Sequence, residues 1–184
     1  MKNEYEATFI NIDASALKRQ LAARGATQAV PRTLQTRMIF DSDRLPQGAW
    51  LRLRDEGRRT TLTLKQVTDS TTIEGTKEIE TEVSDLDATA ELLRTIGLNQ
   101  VRYQENYREE WRLDGVVYDF DTWPDLPEML EIEGPGEEAV RRATADLGLD
   151  FGDARFGSVD EIYRSELGRD ILAETTLLFG ASSS

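Results

Sequence analysis

Asn3-Glu4-Tyr5-Glu6-Ala7-Thr8-Phe9-Ile10 alternates polar with apolar residues. In an extended strand successive side chains point to opposite faces, so Glu4, Glu6 and Thr8 share one face while Tyr5, Ala7 and Phe9 share the other. The two carboxylates then stand about 6 to 7 Å apart on one surface and repel each other, so something cationic is expected to face them. Any half-buried strand alternates in this way. The stretch gains its weight because the pattern returns along the chain, with acid on some strands and base on others.

Trp50-Leu51-Arg52-Leu53-Arg54 and Thr61-Leu62-Thr63-Leu64-Lys65 alternate strictly on either side of Asp55-Glu56-Gly57-Arg58-Arg59, which reads as a hairpin turn. Leu51, Leu53, Leu62 and Leu64 form one aliphatic face, and Arg52, Arg54, Thr63 and Lys65 gather on the other. Lys77-Glu78-Ile79-Glu80-Thr81-Glu82-Val83 puts Glu78, Glu80 and Glu82 on one side. A long charged stretch over 101–113 ends at Asp114-Gly115, the strongest two-residue hairpin signal in the chain. Its partner over 116–123 sets Asp119, Asp121 and Trp123 against Tyr118 and Phe120. Met129-Leu130-Glu131-Ile132-Glu133 again carries two glutamates on one face.

Between these stretches lie helices and turns. Asp13 reads as an N-cap and Gly25 as a stop for a helix with Leu17, Leu21 and Ala22 as its apolar stripe. Pro31 ends the following connection, a strand runs over 33–41, and a loop covers 42–48. Asp85 or Asp87 caps a second helix, in which Leu86, Ala90, Leu93 and Ile96 share a buried side before Gly97. A third helix pattern covers 137–147, and Ser158-Val159-Asp160-Glu161 matches a capping box. Trp50, Trp111, Trp123 and Tyr163 read as packing residues. About eight strands with two inserted helices and a helical C-terminal part make an α+β chain, expected to form one domain over 1–179 with a tail over 180–184.

The chain has 184 residues, enough for one sizeable core, and contains neither cysteine nor histidine. Disulfides, zinc-thiolate sites, Cys nucleophiles and His acid–base schemes are therefore excluded. Catalysis must use carboxylates, Lys, Arg, Tyr, hydroxyls or a metal held by oxygen. A formal charge of -13 opposes a polyanion, so no nucleic-acid partner is expected. No basic stretch followed by an apolar run opens the chain, and nowhere do eighteen apolar residues stand together, so the expectation is a cytoplasmic protein without a membrane partner.

Long strands with one aliphatic and one ionic face suit a closed or nearly closed barrel whose ionic faces line a polar lumen. The aliphatic faces must then look outward, under the helices. Arg52, Arg54, Lys65 and Arg108 on one side of such a lumen, with carboxylates on another, suit a polyphosphate bridged by a divalent metal. Guanidinium forks match phosphate oxygens, and Mg²⁺ or Mn²⁺ prefers oxygen ligands. Arg108 taken alone reads equally well as an ion-pair partner of Glu110 or of a neighbouring carboxylate. A small-ligand carrier barrel would need an apolar lumen, which the parity of the charges disfavours.

Glu4-Tyr5-Glu6, Leu51-Arg52-Leu53-Arg54, Leu62-Thr63-Leu64-Lys65, Glu80-Thr81-Glu82, Arg108 followed by Trp111, Asp119 with Asp121, and Glu131-Ile132-Glu133 resemble, in order and spacing, the motifs of the CYTH family over about residues 2–167. These are the triphosphate tunnel metalloenzymes, among them class IV adenylate cyclases, thiamine triphosphatases and inorganic triphosphatases. The resemblance implies an eight-stranded antiparallel tunnel with helices outside, binding ATP, tripolyphosphate or thiamine triphosphate with Mg²⁺ or Mn²⁺. It implies a metal set of Glu4, Glu6, Glu131 and Glu133 with contributions from Glu80, Glu82, Asp119 or Asp121. It further implies a phosphate set of Arg52, Arg54, Lys65 and Arg108, with Glu4, Glu6, Lys65 and Arg108 in catalysis, and a homodimer as in the cyclase branch.

The chain departs from the family pattern at three positions. Thr8 stands at the Lys of Glu-x-Glu-x-Lys, Asn106 at the Lys of the later Lys-x-Arg, and Arg37 where an acid is common. Two cations are lost and one, a further candidate phosphate ligand, is gained. Phosphohydrolysis is the reading placed first, with cyclisation of ATP to cyclic AMP and pyrophosphate as one alternative and a noncatalytic polyphosphate or nucleotide-binding module as another.

Overall fold

In the computed structural model, which describes residues 1–180, the Asp114-Gly115 turn takes positive φ at both residues, 49° and 79°. This two-residue geometry matches the right-handed twist of the strands it joins. Those strands are β6 (Asn99–Leu113) and β7 (Val116–Thr122). The others in chain order are β1 (Lys2–Phe9), β2 (Thr27–Asp41), β3 (Ala49–Asp55), β4 (Thr60–Val67), β5 (Thr76–Val83) and β8 (Met129–Gly134). Neighbours pair antiparallel in the order β2-β3-β4-β5-β1-β8-β7-β6, and β6 returns to pair with β2, closing an eight-stranded barrel. A two-residue strand, β9 (Thr176–Leu177), adds parallel to β6 at Tyr103 and Gln104, beyond the reach of β7.

Four helices lie outside: α1 (Ala14–Ala23), α2 (Leu86–Thr95), α3 (Glu137–Asp146) and α4 (Val159–Leu167). Asp13 and Asp85 cap the first two, accepting from the amides of Ala16 and Ala88 at 2.9 and 2.8 Å. The apolar residues lie between barrel and helices, as the inverted arrangement requires. Ala7, Phe9, Tyr118, Phe120, Leu130 and Ile132 on the outer barrel wall bury against Leu17 and Leu21 of α1 and Val140 and Ala143 of α3. Phe40 and Leu53 pack against Ala90 and Leu93 of α2. Trp123, Leu126, Met129, Ile162, Tyr163 and Ile171 close a third cluster where α4 meets the barrel end. Tyr163 is fully buried there and donates to the carbonyl of Pro124, a packing role.

Several boundaries differ from the sequence expectation. β2 starts at Thr27 and runs through Pro31, which does not end the connection. Register shifts between Gln28 and Val30 and between Val30 and Thr33 absorb the residue that cannot donate to the ladder. Ala22 and Ile96 are exposed; Ala14 completes the buried stripe of α1 instead. Ser158 occupies the N-cap position of α4 but makes no capping bond, because its hydroxyl donates to Asp160. No helix among the described residues is long and apolar enough to cross a membrane. Apart from Gly180, the tail expected over 180–184 lies outside the described residues.

Candidate functional site

The barrel encloses a cavity of about 850 Å³ lined by the ionic faces of its strands. Strand alternation brings Glu4, Glu6 and Thr8 of β1, Arg37 of β2, Arg52 and Arg54 of β3, Lys65 of β4, Glu78 and Glu80 of β5, Arg108 of β6, Asp119 and Asp121 of β7, and Glu131 and Glu133 of β8 onto one surface. Every candidate metal or phosphate ligand of the sequence reading thus reaches the cavity except Glu82. It has the right parity, but lies past the rim, two-thirds exposed and 3.4 Å from Arg59.

Charge is segregated around the lumen. Arg37 stands directly opposite Arg54 across β2 and β3, with Arg52 two residues along. Like charges directly opposite are destabilising, and the Nε atoms of Arg37, Arg52 and Arg54 are all buried without a hydrogen-bond partner. Burial, with Arg54 beside it, lowers the Arg52 pKa to about 10 against the opposing charge of Glu80. Glu80 lies on this basic wall, 3.5 Å from Arg52 and accepting from Thr63 at 2.9 Å. It therefore partners arginines and does not join the other carboxylates.

On the acidic wall Glu6 stands opposite Glu133 across β1 and β8, and Thr8 opposite Glu131. Burial pushes the Glu6 carboxyl up to about 8, with Glu131, Glu4 and Glu133 adding and Lys65 opposing. Burial and Glu131 also raise Glu133. Lys65 bridges to this wall, its Nζ 3.1 and 3.0 Å from the two Glu4 oxygens and 3.8 Å from Glu78. Burial works against a charged Glu4, yet Lys65 and Glu78 hold it below the usual range. Burial and the hydrogen bond with Glu4 push Glu78 up to about 7.

Arg108 is bound more tightly than either sequence reading foresaw. Its Nη1 lies 2.6 Å from Asp119, its Nε 2.7 Å from Asp121 and its Nη2 3.2 Å from Glu131. Glu110 pairs with Arg112 instead. Asp119 keeps one oxygen buried and unpartnered, and burial raises its pKa well above the usual carboxylate range despite Arg108.

The donor set suits a hard divalent cation, because it is all oxygen and its like charges face one another inside the protein. Glu4, Glu6, Glu131 and Glu133 meet that description. Asp119 and Asp121 are held closer to Arg108, at 2.6 and 2.7 Å, than Glu131 is at 3.2 Å, and Glu80 lies among the arginines. Among the described residues no three acidic side chains converge closely enough to hold an ion as they stand, so coordination by Glu4, Glu6, Glu131 and Glu133 would require their side chains to rotate.

Sequence reasoning named Glu110 only as a partner for Arg108 and passed over Gln104; both share the inward parity of Arg108 along β6, and that parity would have placed both in the lumen. It also missed the apolar end of the cavity, where Ile39, Trp50, Trp123, Ile162 and Ile171 line the wall. Residues distant in sequence form that end, and no local pattern announces it.

The model of the CYTH domain matches residues 2–164. A comparison with curated proteins gives no match. Among solved structures, a candidate adenylate cyclase of Vibrio parahaemolyticus superposes with a TM-score of 0.75 at 14% identity, covering 88% of this chain and 97% of that one. The PH1012 protein of Pyrococcus horikoshii gives 0.69 at 23% identity, covering 83% and 94%. The Hippeastrum protein HpAC1, a candidate adenylyl cyclase with a dominant triphosphatase activity, gives 0.55 at 16% identity, covering 92% and 97%. These likenesses are of fold. With a closed antiparallel barrel, a charged lumen and a domain match spanning nearly its whole length, the chain belongs to the CYTH domain family.

Proposed function

We propose that the tunnel, in one domain over residues 1–179, binds a triphosphate together with a divalent cation and hydrolyses it. What carries this reading is the facing of two walls that are each electrostatically unfavourable alone: three buried guanidinium Nε atoms without partners against a carboxylate group centred on Glu6. A polyanion satisfies the first wall and a cation the second. Either alone would meet repulsion from the opposite wall.

Arg37, Arg52 and Arg54 hold phosphate oxygens, with charge-assisted hydrogen bonds replacing the water lost on burial. Lys65, fixed between Glu4 and Glu78, orients the end of the phosphate chain nearer the acidic wall. Glu4, Glu6, Glu131 and Glu133 would hold Mg²⁺ or Mn²⁺, which supplies positive charge at the phosphate oxygens. Glu78, raised to about 7, is matched in pKa to accept a proton from the attacking water. Water oxygen bonds to the terminal phosphorus, the bond to the bridging oxygen breaks, and orthophosphate leaves. Arg108 acts from its carboxylate cage by fixing Asp119, Asp121 and Glu131.

The apolar end of the cavity favours a second reading, cyclisation of ATP, because Trp50, Trp123 and Ile39 offer a surface for a nucleobase. Incubation with ATP, tripolyphosphate and thiamine triphosphate, each with Mg²⁺ or Mn²⁺, tests both. Orthophosphate release supports the hydrolase, and cyclic AMP with pyrophosphate replaces it by the cyclase. Binding without turnover reduces the protein to a noncatalytic module.

A further inference from the structure

Arg37 differs from Arg52, Arg54, Lys65 and Arg108. Arg52 and Arg54 lie within reach of Glu80, Lys65 of Glu4, and Arg108 of three carboxylates. Among the described residues, no carboxylate oxygen comes within 4.0 Å of an Arg37 nitrogen, although the residue is 7% exposed. A buried, unpaired guanidinium is costly, so its surroundings call for explanation. Two neutral groups hold it. The guanidinium carbon sits 4.5 Å from the Trp123 ring centroid, and one Nη donates to the side-chain oxygen of Asn106. Its Nε has no partner.

Asn106 is fully buried and faces two ways. Its oxygen accepts from Arg37 while its amide nitrogen donates to Asp121 at 3.2 Å. Asp121 in turn accepts from Arg108 at 2.7 Å. An uncharged amide is thus inserted between a carboxylate and a guanidinium that would otherwise attract each other. An aspartate of nearly the same shape at position 106 would neutralise Arg37, whereas a lysine would add a second cation beside it.

We propose that Asn106 is a positioning residue: a neutral spacer that keeps Arg37 free of carboxylates so that the guanidinium, clamped on Trp123, binds a phosphoryl oxygen of the substrate. This rests on the triphosphate reading of the tunnel and adds to it that position 106 sets the tunnel's affinity for anions. Burial and the nearby charges of Arg54, Arg52 and Arg108 disfavour a charged Arg37 further, which an anion would relieve.

Calorimetric titration with tripolyphosphate at saturating Mg²⁺, alongside thermal unfolding, separates a binding role from a structural one. Asn106→Asp is expected to weaken tripolyphosphate by about tenfold to a hundredfold, yet to unfold near the wild-type midpoint, because the ion pair gained with Arg37 is offset by the donor lost to Asp121 and the like charge placed beside it. A residue that served packing alone would move both quantities together or leave affinity unchanged, and either result overturns the proposal. Arg37→Gln provides a second measurement if Asp at position 106 disturbs folding. It should lose comparable affinity, with Arg37→Lys retaining most of it, and wild-type affinity in Arg37→Gln overturns the proposal. Wild-type protein that binds no tripolyphosphate would overturn the triphosphate reading and this inference with it.

Discussion

Glu6 and Glu133 stand directly across from each other on β1 and β8, both turned into the barrel. Without a cation this pairing opposes folding wherever Glu6 is ionised, from about pH 8 upward. Glu133→Gln removes the repulsion and is expected to stabilise the cation-free protein by up to about 1 kcal/mol. The same change should shrink the rise in melting temperature that Mg²⁺ or Mn²⁺ produces in the wild type. Thermal unfolding with and without each cation checks both effects.

The acidic wall also fixes a pH dependence. Glu6 and Glu78 are raised from 4.5 to about 8 and about 7, and Glu133 is raised too. Between about pH 4.5 and pH 8 the folded protein therefore keeps protons that the unfolded chain has released, so stability falls as pH rises. Groups lowered by folding, such as Glu4, Glu56 and Glu109, act on the acid side of this window. Melting temperatures of the cation-free protein should decline from pH 5 to pH 8. Saturating Mg²⁺ should flatten the decline, since a bound cation favours the ionised carboxylates.

On the basic wall, Arg54→Ala relieves the pairing with Arg37 while removing a phosphate ligand. Triphosphate turnover should fall by about a hundredfold or more, with the melting temperature preserved. Glu4→Gln should likewise abolish cation-dependent turnover, because it loses a carboxylate and releases Lys65. Wild-type rates in either variant would move the site elsewhere.

Outside the barrel the balance reverses. Lys18 of α1 donates to Glu109 and Glu128 at 2.8 Å each and lies 4.7 Å from the Phe120 ring centroid. Lys18→Met leaves two partly buried carboxylates without their cation. It should cost about 2 kcal/mol in urea unfolding and leave turnover unchanged.

The inversion of the barrel was legible because alternation fixes the face of every side chain once a strand is assigned, as with Arg52, Lys65 and Glu131. Alternation does not fix depth. Glu82 shares the parity of Glu80, yet its place near the strand's end carries it past the rim, beside Arg59. Partnership was equally illegible: Arg108 meets Asp119, Asp121 and Glu131 through the register of three strands, which no single stretch encodes. Pro31 misled because a proline usually stops a strand, and only the bulges in the paired β6 ladder show how this one is carried through. The Arg37–Asn106 contact depends on the closing seam between β2 and β6, whose register only the closed barrel defines.

That seam also bears on how the binding surface comes into being. Gln35 pairs with Asn106 and Arg37 with Gln104, partners more than sixty positions apart along the chain, whereas the Asp114-Gly115 turn joins immediate neighbours. Local hairpins form early and distant closures late, so the two halves of the lumen face each other only once the ring has shut. A partly assembled chain then carries the charges but not their confrontation. The ligand should recognise the finished ring alone, slowing its opening and leaving the rate at which the hairpins first form untouched.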